Sequence, residues 1–130
     1  MTNEDKELLL KDLCARLPHG VKISIPELWI SEKKIEVLNE IFKGDDDLYR
    51  VNDNGMLIEY IKPYLFPLSS MTEEQKEEYC RLQQKVIYNS KGPVNSDVME
   101  YVNWCYKNHI DINNLIPIGL ANDATGLNIY

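Results

Sequence analysis

Histidine, cysteine and phenylalanine are scarce in this 130-residue chain, which has two histidines, three cysteines and two phenylalanines. Each scarcity removes a class of chemistry. Cys14, Cys80 and Cys105 are odd in number and widely spaced, with no Cys-x-x-Cys, so neither a disulfide framework nor a zinc site is expected. Each falls in a segment that reads as helix, where a small buried hydrophobe is the expected role. His19 lies in a Pro-His-Gly turn and His109 at a helix end, where the dipole favours a cation. Cys105 and His109 are spaced to share a helix face, but no orienting third group or oxyanion signature accompanies them. Gly-x-Gly-x-x-Gly, Gly-x-x-x-x-Gly-Lys and Gly-x-Ser-x-Gly are all lacking. No apolar run approaches the roughly 18 residues of a membrane span. The N-terminus, Met-Thr-Asn-Glu-Asp-Lys, is acidic where a secretion signal is basic, so a cytoplasmic location is expected.

Basic charge is also short. Fourteen Lys and Arg stand against 21 Asp and Glu, for a net charge of −7. The imbalance concentrates in residues 27–59, with nine acids against Lys33, Lys34, Lys43 and Arg50. Residues 97–130 add Asp97, Glu100, Asp111 and Asp123 against Lys107 alone. Binding to a phosphate backbone needs a basic face that releases counterions, so generic nucleic-acid binding is not expected. Gly44-Asp45-Asp46-Asp47 does not make a calcium loop. Counting from Asp45 puts Arg50, and from Asp47 puts Asn52, where an EF-hand requires glycine. A solvated turn is the expected role. No catalytic, cofactor-binding or metal-ligating residue is assigned, and no cofactor is expected.

What is present is a legible order of elements. Residues 3–17 read as an amphipathic helix capped by Thr2 with Asp5, its stripe made of Leu9, Leu13 and Leu17 and widened by Leu10 and Cys14. Pro18-His19-Gly20 stops it, and Val21–Ile25 alternates as a strand ended by Pro26. Residues 34–43 read two ways. Ile35, Leu38 and Phe42 have helical spacing, whereas Lys34-Ile35-Glu36-Val37 alternates and is rich in β-branched residues; we take it as strand. Asn54-Gly55 predicts a two-residue hairpin turn, with Val51 opposite Ile58, Tyr49 opposite Tyr60 and Arg50 opposite Glu59. Tyr49, Val51, Ile58 and Tyr60 then share the core face.

Residues 61–75 form a joint. Pro63 and Pro67 hold Lys62 and Phe66 out of the helical region. Thr72 with Gln75 is a capping box for a helix running to about Asn89, with Tyr79, Leu82 and Val86 inward. Lys91-Gly92-Pro93 ends that helix, and Ser96 caps another to about Asn108, with Val98, Tyr101, Val102 and Cys105 inward. The tail, 110–130, is expected to strap onto the body through Ile112, Leu115, Ile116 and Leu120. Eight tyrosines and two tryptophans suit a protein interface, and Tyr64 and Phe66, on the rigid prolyl segment, are the candidate exposed anchors.

The run from Lys6 to Lys22, the joint from Ile61 to Glu74 and the closing Asn114-Leu115-Ile116-Pro117-Ile118-Gly119-Leu120-Ala121 together resemble a family of small proteins of gut Bacteroidales, their phages and mobile elements. The family has no assigned activity, so no functional residues carry over. The resemblance implies a mobile-element context, a bacterial host and an α+β fold with a strand-rich middle.

One domain is expected, of class α+β: a helix and a small antiparallel meander of about four strands, SH3-like in size, over 1–62; the joint over 63–72; helices over 73–109; and the strapped tail. The function expected is that of a non-catalytic accessory protein acting on an unidentified protein partner, with no membrane contact. A nucleic-acid-associated small barrel and a small hydrolase are the alternatives.

Overall fold

The computed structural model describes residues 1–26, 33–87 and 95–130. Helix α1 (Asn3–Arg16) opens with a reciprocal cap. Thr2 Oγ1 accepts from the Asp5 N–H at 3.0 Å, and the Thr2 N–H donates to the Asp5 carboxylate at 3.5 Å. A 3-10 turn over Leu17–His19 follows, and Gly20, at φ 68°, takes the left-handed conformation that turns the chain into the first strand. The helix buries Leu9, Asp12, Leu13 and Arg16, so its inner face is rotated from the expected stripe. Cys14 is exposed, as is Cys80; Cys105 alone of the three cysteines is buried.

Among the described residues the strands are β1 (Lys22–Pro26), β2 (Lys33–Val37), β3 (Ile41–Lys43), β4 (Tyr49–Val51), β5 (Met56–Leu57), β6 (Lys62–Leu65) and β7 (Asn122–Asp123). Helices α2 (Glu73–Ile87) and α3 (Asn95–Lys107) complete an α+β fold. The strands divide between a four-stranded sheet in the order β2-β1-β6-β7 and a three-stranded sheet in the order β3-β4-β5. The meander is therefore confined to the smaller sheet. In the larger one β1 is antiparallel to both neighbours, while β7 joins β6 in parallel. Leu9, Leu13, Val21, Ile23, Leu38, Val51, Ile61 and Leu65 form the centre of the core.

Within 34–43 the strand character is observed at 34–37 and 41–43, but these are two strands in different sheets, separated by residues 38–40. Asn52 is the reason. Its Oδ1 accepts from the N–H groups of Asn39 at 2.9 Å and Glu40 at 3.4 Å, drawing them out of any ladder, while Leu38 turns into the core. Asn52 also changes the hairpin. At φ 55° it leaves the ladder, so the turn spans 52–55 and Gly55, at φ 64°, closes it. Val51 pairs with Met56 and Arg50 with Leu57, two residues away from the expected register. Residues 58–60 form a 3-10 turn. Val51 and Ile58 are buried as expected, but Tyr49 and Tyr60 are exposed. Arg50 meets Asp46 at 2.6 Å, and Glu59 meets Lys6 at 3.1 Å.

The first part of the prolyl joint is a core strand. Pro63 pairs with Ile23 inside β6, and Pro67 leads into a 3-10 turn over Leu68–Ser70. The second capping box forms: the Gln75 N–H donates to Thr72 Oγ1 at 3.2 Å and the Thr72 N–H to Gln75 Oε1 at 3.0 Å. Leu82 on α2 and Cys105 on α3 are buried, and the Tyr101 hydroxyl donates to that of Tyr79 at 3.0 Å between the helices. Ser96 lies inside α3 rather than at its cap, and Val98 is exposed. The expected helix stop at Lys91-Gly92-Pro93 lies outside the described residues. Along the tail Ile110, Leu115, Leu120, Ala121 and Ala124 are buried, while Ile112 and Ile116 are half-buried.

Candidate interaction groove

Three leucines in succession, Leu8-Leu9-Leu10, cannot all face one core from one helix, because neighbours on a helix point about 100° apart. Leu9 takes the core. Leu10, with Asn3, Lys6 and Glu7 on the same face of α1, lines a groove of about 320 Å³. Its opposite side comes from the smaller sheet and the turn beyond it: Leu48, Tyr49, Leu57, Ile58, Asp47 and Glu59. Ile58 is buried and Leu10 and Leu57 are half-buried, so they form an apolar floor. Leu48 at 45% and Tyr49 at 39% exposure stand at the rim. The charged lining is one lysine against three acids, with the Lys6–Glu59 ion pair linking α1 to the 3-10 turn. The arrangement suits an apolar side chain carried by a segment with positive charge beside it.

Tyr64 and Phe66 are not exposed anchors. Tyr64 is 7% exposed, and its carbonyl accepts from the Tyr130 hydroxyl at 2.7 Å. Phe66 is half-buried, its ring 5.7 Å from that of Tyr130. The groove residues went unassigned because Tyr49 shares its face of β4 with Val51, and alternation alone does not show where along that face burial ends. The available signal was the surplus leucine on α1.

The end of α3 forms a second cluster. His109, at φ 59°, occupies the left-handed position of a Schellman cap in which the Ile110 N–H donates to the Cys105 carbonyl at 2.9 Å. Its ring stacks on Tyr130 at 3.9 Å, and its Nδ1 is buried with no hydrogen-bond partner among the described residues. Burial above all, with Arg16, His19 and Lys22 nearby, pulls its pKa down to about 4. His109 is thus neutral, not the helix-end cation expected. Burial pushes the Cys105 thiol up to about 11, away from thiolate chemistry.

Beneath this cluster Asp12 and Arg16 form an ion pair at 2.8 Å with both side chains fully buried. Arg16 also donates to the Ile110 carbonyl at 2.7 Å and lies over the Tyr106 ring, and Asp12 accepts from Asn113 at 2.9 Å. This network fastens α1 to the tail. Among the described residues no group of three His, Cys, Asp or Glu is placed to hold a metal ion, and no helix is long and apolar enough to cross a membrane. The chain matches no protein-family model, no curated protein and no solved structure.

Proposed function

We propose that this is a non-catalytic accessory protein of a phage or mobile element, acting in the cytoplasm of a bacterial host by holding a protein partner. The groove between α1 and the β4–β5 hairpin receives a partner segment that carries a large apolar side chain flanked by lysine or arginine. The observation that carries this reading is the pairing of an apolar floor with an acidic rim at which Leu48 and Tyr49 remain exposed. Interfaces are enriched in such aromatic and aliphatic anchors, and complementary rim charge steers the encounter. The net charge of −7 and the resemblance to mobile-element proteins agree with it.

The test compares the wild-type chain with Leu48→Glu and Glu7→Lys in affinity purification from the native host, followed by titration of the identified partner. Leu48→Glu is expected to weaken that partner at least tenfold. Glu7→Lys is expected to weaken it less, by an amount that shrinks as salt rises. A partner held equally by all three proteins overturns the reading.

A further inference from the structure

β2 is an edge strand of the larger sheet: β1 lies on one side of it, and no described strand pairs on the other. The Leu38 N–H donates to the Val21 carbonyl at 2.9 Å, so even-numbered residues here direct their backbone groups towards β1. In an antiparallel ladder the directions alternate. Ile35 and Val37 therefore point their N–H and C=O groups outward, and the Val37 carbonyl accordingly accepts from Asn52 Nδ2 at 2.9 Å, away from β1. Ile35 is 42% and Val37 47% exposed on one face, and Lys34 pairs with Glu36 at 3.0 Å on the other. The strand thus offers an outward backbone edge, open at Ile35 and met by Asn52 at the Val37 carbonyl, with two partly exposed β-branched side chains.

Its sequence is complementary to itself. Set antiparallel to a second copy with a two-fold axis at Ile35, β2 places Ile35 opposite Ile35, Lys34 opposite Glu36 and Glu36 opposite Lys34. Ile35 is also an outward-pointing residue, so the axis falls on a pair able to exchange both backbone hydrogen bonds. An isologous contact requires this reciprocity, in which residue i meets j and j meets i. The nearest registers that keep the outward backbone groups facing each other are slips of two residues, and these set Lys34 opposite Lys34 or Glu36 opposite Glu36. We propose that the protein self-associates through antiparallel pairing of β2 with β2 of a second copy, in the register centred on Ile35. The larger sheets of the two copies then become one continuous sheet. A five-residue strand buries less area than a standard stable interface, so the dissociation constant is on the order of 10⁻⁵ to 10⁻⁴ M.

Sedimentation velocity from about 10⁻⁶ to 10⁻³ M, spanning that range, reads the association directly. Lys34→Glu sets two carboxylates opposite each other at both symmetry-related crossings and is expected to weaken the dimer at least tenfold. Ile35→Pro removes an outward N–H that makes no bond to β1, and it is expected to abolish association while circular dichroism stays that of the wild type. Glu36→Lys alone is likewise expected to be monomeric, whereas a 1:1 mixture of Lys34→Glu and Glu36→Lys chains restores a dimer because both crossings are again Lys–Glu. A wild-type chain that stays monomeric to 10⁻³ M overturns the proposal and means that Lys34 guards the edge. So does a dimer insensitive to Lys34→Glu and Ile35→Pro. Should Glu36→Lys fail to fold, those two variants decide alone. A folded mixture that does not dimerise refutes the register.

Discussion

Removing the carboxylate of Asp12 should be among the most damaging single changes in this chain. Asp12 accepts from Arg16 Nε at 2.8 Å and from Asn113 Nδ2 at 2.9 Å, with its side chain and that of Arg16 fully buried. In Asp12→Ala the guanidinium stays buried with the Ile110 carbonyl and the Tyr106 ring as remaining partners, while its Nη1 has none among the described residues. Breaking a buried pair from one side costs about 3–5 kcal/mol. Against a domain stability of about 5–15 kcal/mol, that is a large share.

The double variant Asp12→Leu/Arg16→Met separates the ion pair from the packing. It removes both charges together, so no uncompensated charge is left inside. The Ile110 carbonyl keeps the Ile112 N–H at 3.0 Å and the Asn113 amide keeps the Tyr106 hydroxyl at 3.3 Å, so about 1–3 kcal/mol for each lost bond is an upper bound on the cost. The double variant should therefore be no worse than Asp12→Ala, and less destabilised than the summed singles by over about 1 kcal/mol, the coupling expected of contacting residues. Urea unfolding at constant slope measures both. A cost for Asp12→Ala below about 1 kcal/mol, or strict additivity in the cycle, would refute the account of the pair as a buried clasp.

Thr72→Ala should lower stability by about 1 kcal/mol, because it strands the Gln75 N–H at the start of α2; a loss under about 0.3 kcal/mol in urea would show that water replaces the cap. Asn52→Ala should cost about 2–4 kcal/mol by leaving the Asn39 and Glu40 N–H groups unmet and straining a backbone at φ 55°, and a smaller loss with Asn52→Gly separates strain from bonding. His109, held near 4 against 6.5 when unfolded, lets the unfolded chain take the proton first as pH falls. The stability it confers is present above about pH 6.5 and is lost between there and about 4, by on the order of 1–2 kcal/mol once its partial exposure is allowed for. His109→Phe should flatten that part of the pH profile, and an unchanged slope would clear the histidine. Fluorescence anisotropy should show no duplex DNA binding tighter than about 10⁻⁶ M at physiological salt, and tighter binding that falls steeply with salt would favour a nucleic-acid module.

Local chemistry was legible where it is self-contained. Both capping boxes, at Thr2 and Thr72, depend on residues three apart, and both form. The helix α1, the extended first part of the prolyl segment and the strand character of 34–37 and 41–43 follow for the same reason. Properties decided at long range were not legible. Asp12 and Arg16 are i,i+4 neighbours on α1, and nothing local marks them as buried; the tail does that by bringing Ile110 and Asn113 to them. Asn54-Gly55 is a strong short-turn signal, yet the buried amide of Asn52 binds groups 12 and 13 residues away and sets a longer turn. The exposure of Tyr49 was illegible for the same reason: it shares its face of β4 with the buried Val51, and only the long-range packing decides where along that face burial ends.

Asn52 also ties the two surfaces to each other. Its Nδ2 donates to the Val37 carbonyl at 2.9 Å and to Glu36 at 3.2 Å on β2, while its backbone N–H donates to the Glu40 carbonyl at 3.1 Å beside β3. One buried side chain thus spans the point where the chain leaves the larger sheet for the smaller. The β4–β5 hairpin that forms half of the groove hangs from that point, and so does the end of the edge strand whose charges set the pairing register. A change at Asn52 should therefore disturb groove binding and self-association together, whereas Leu48→Glu should touch only the first and Lys34→Glu only the second. The ladder hydrogen bonds hold each sheet internally, and this amide fixes the orientation of one relative to the other.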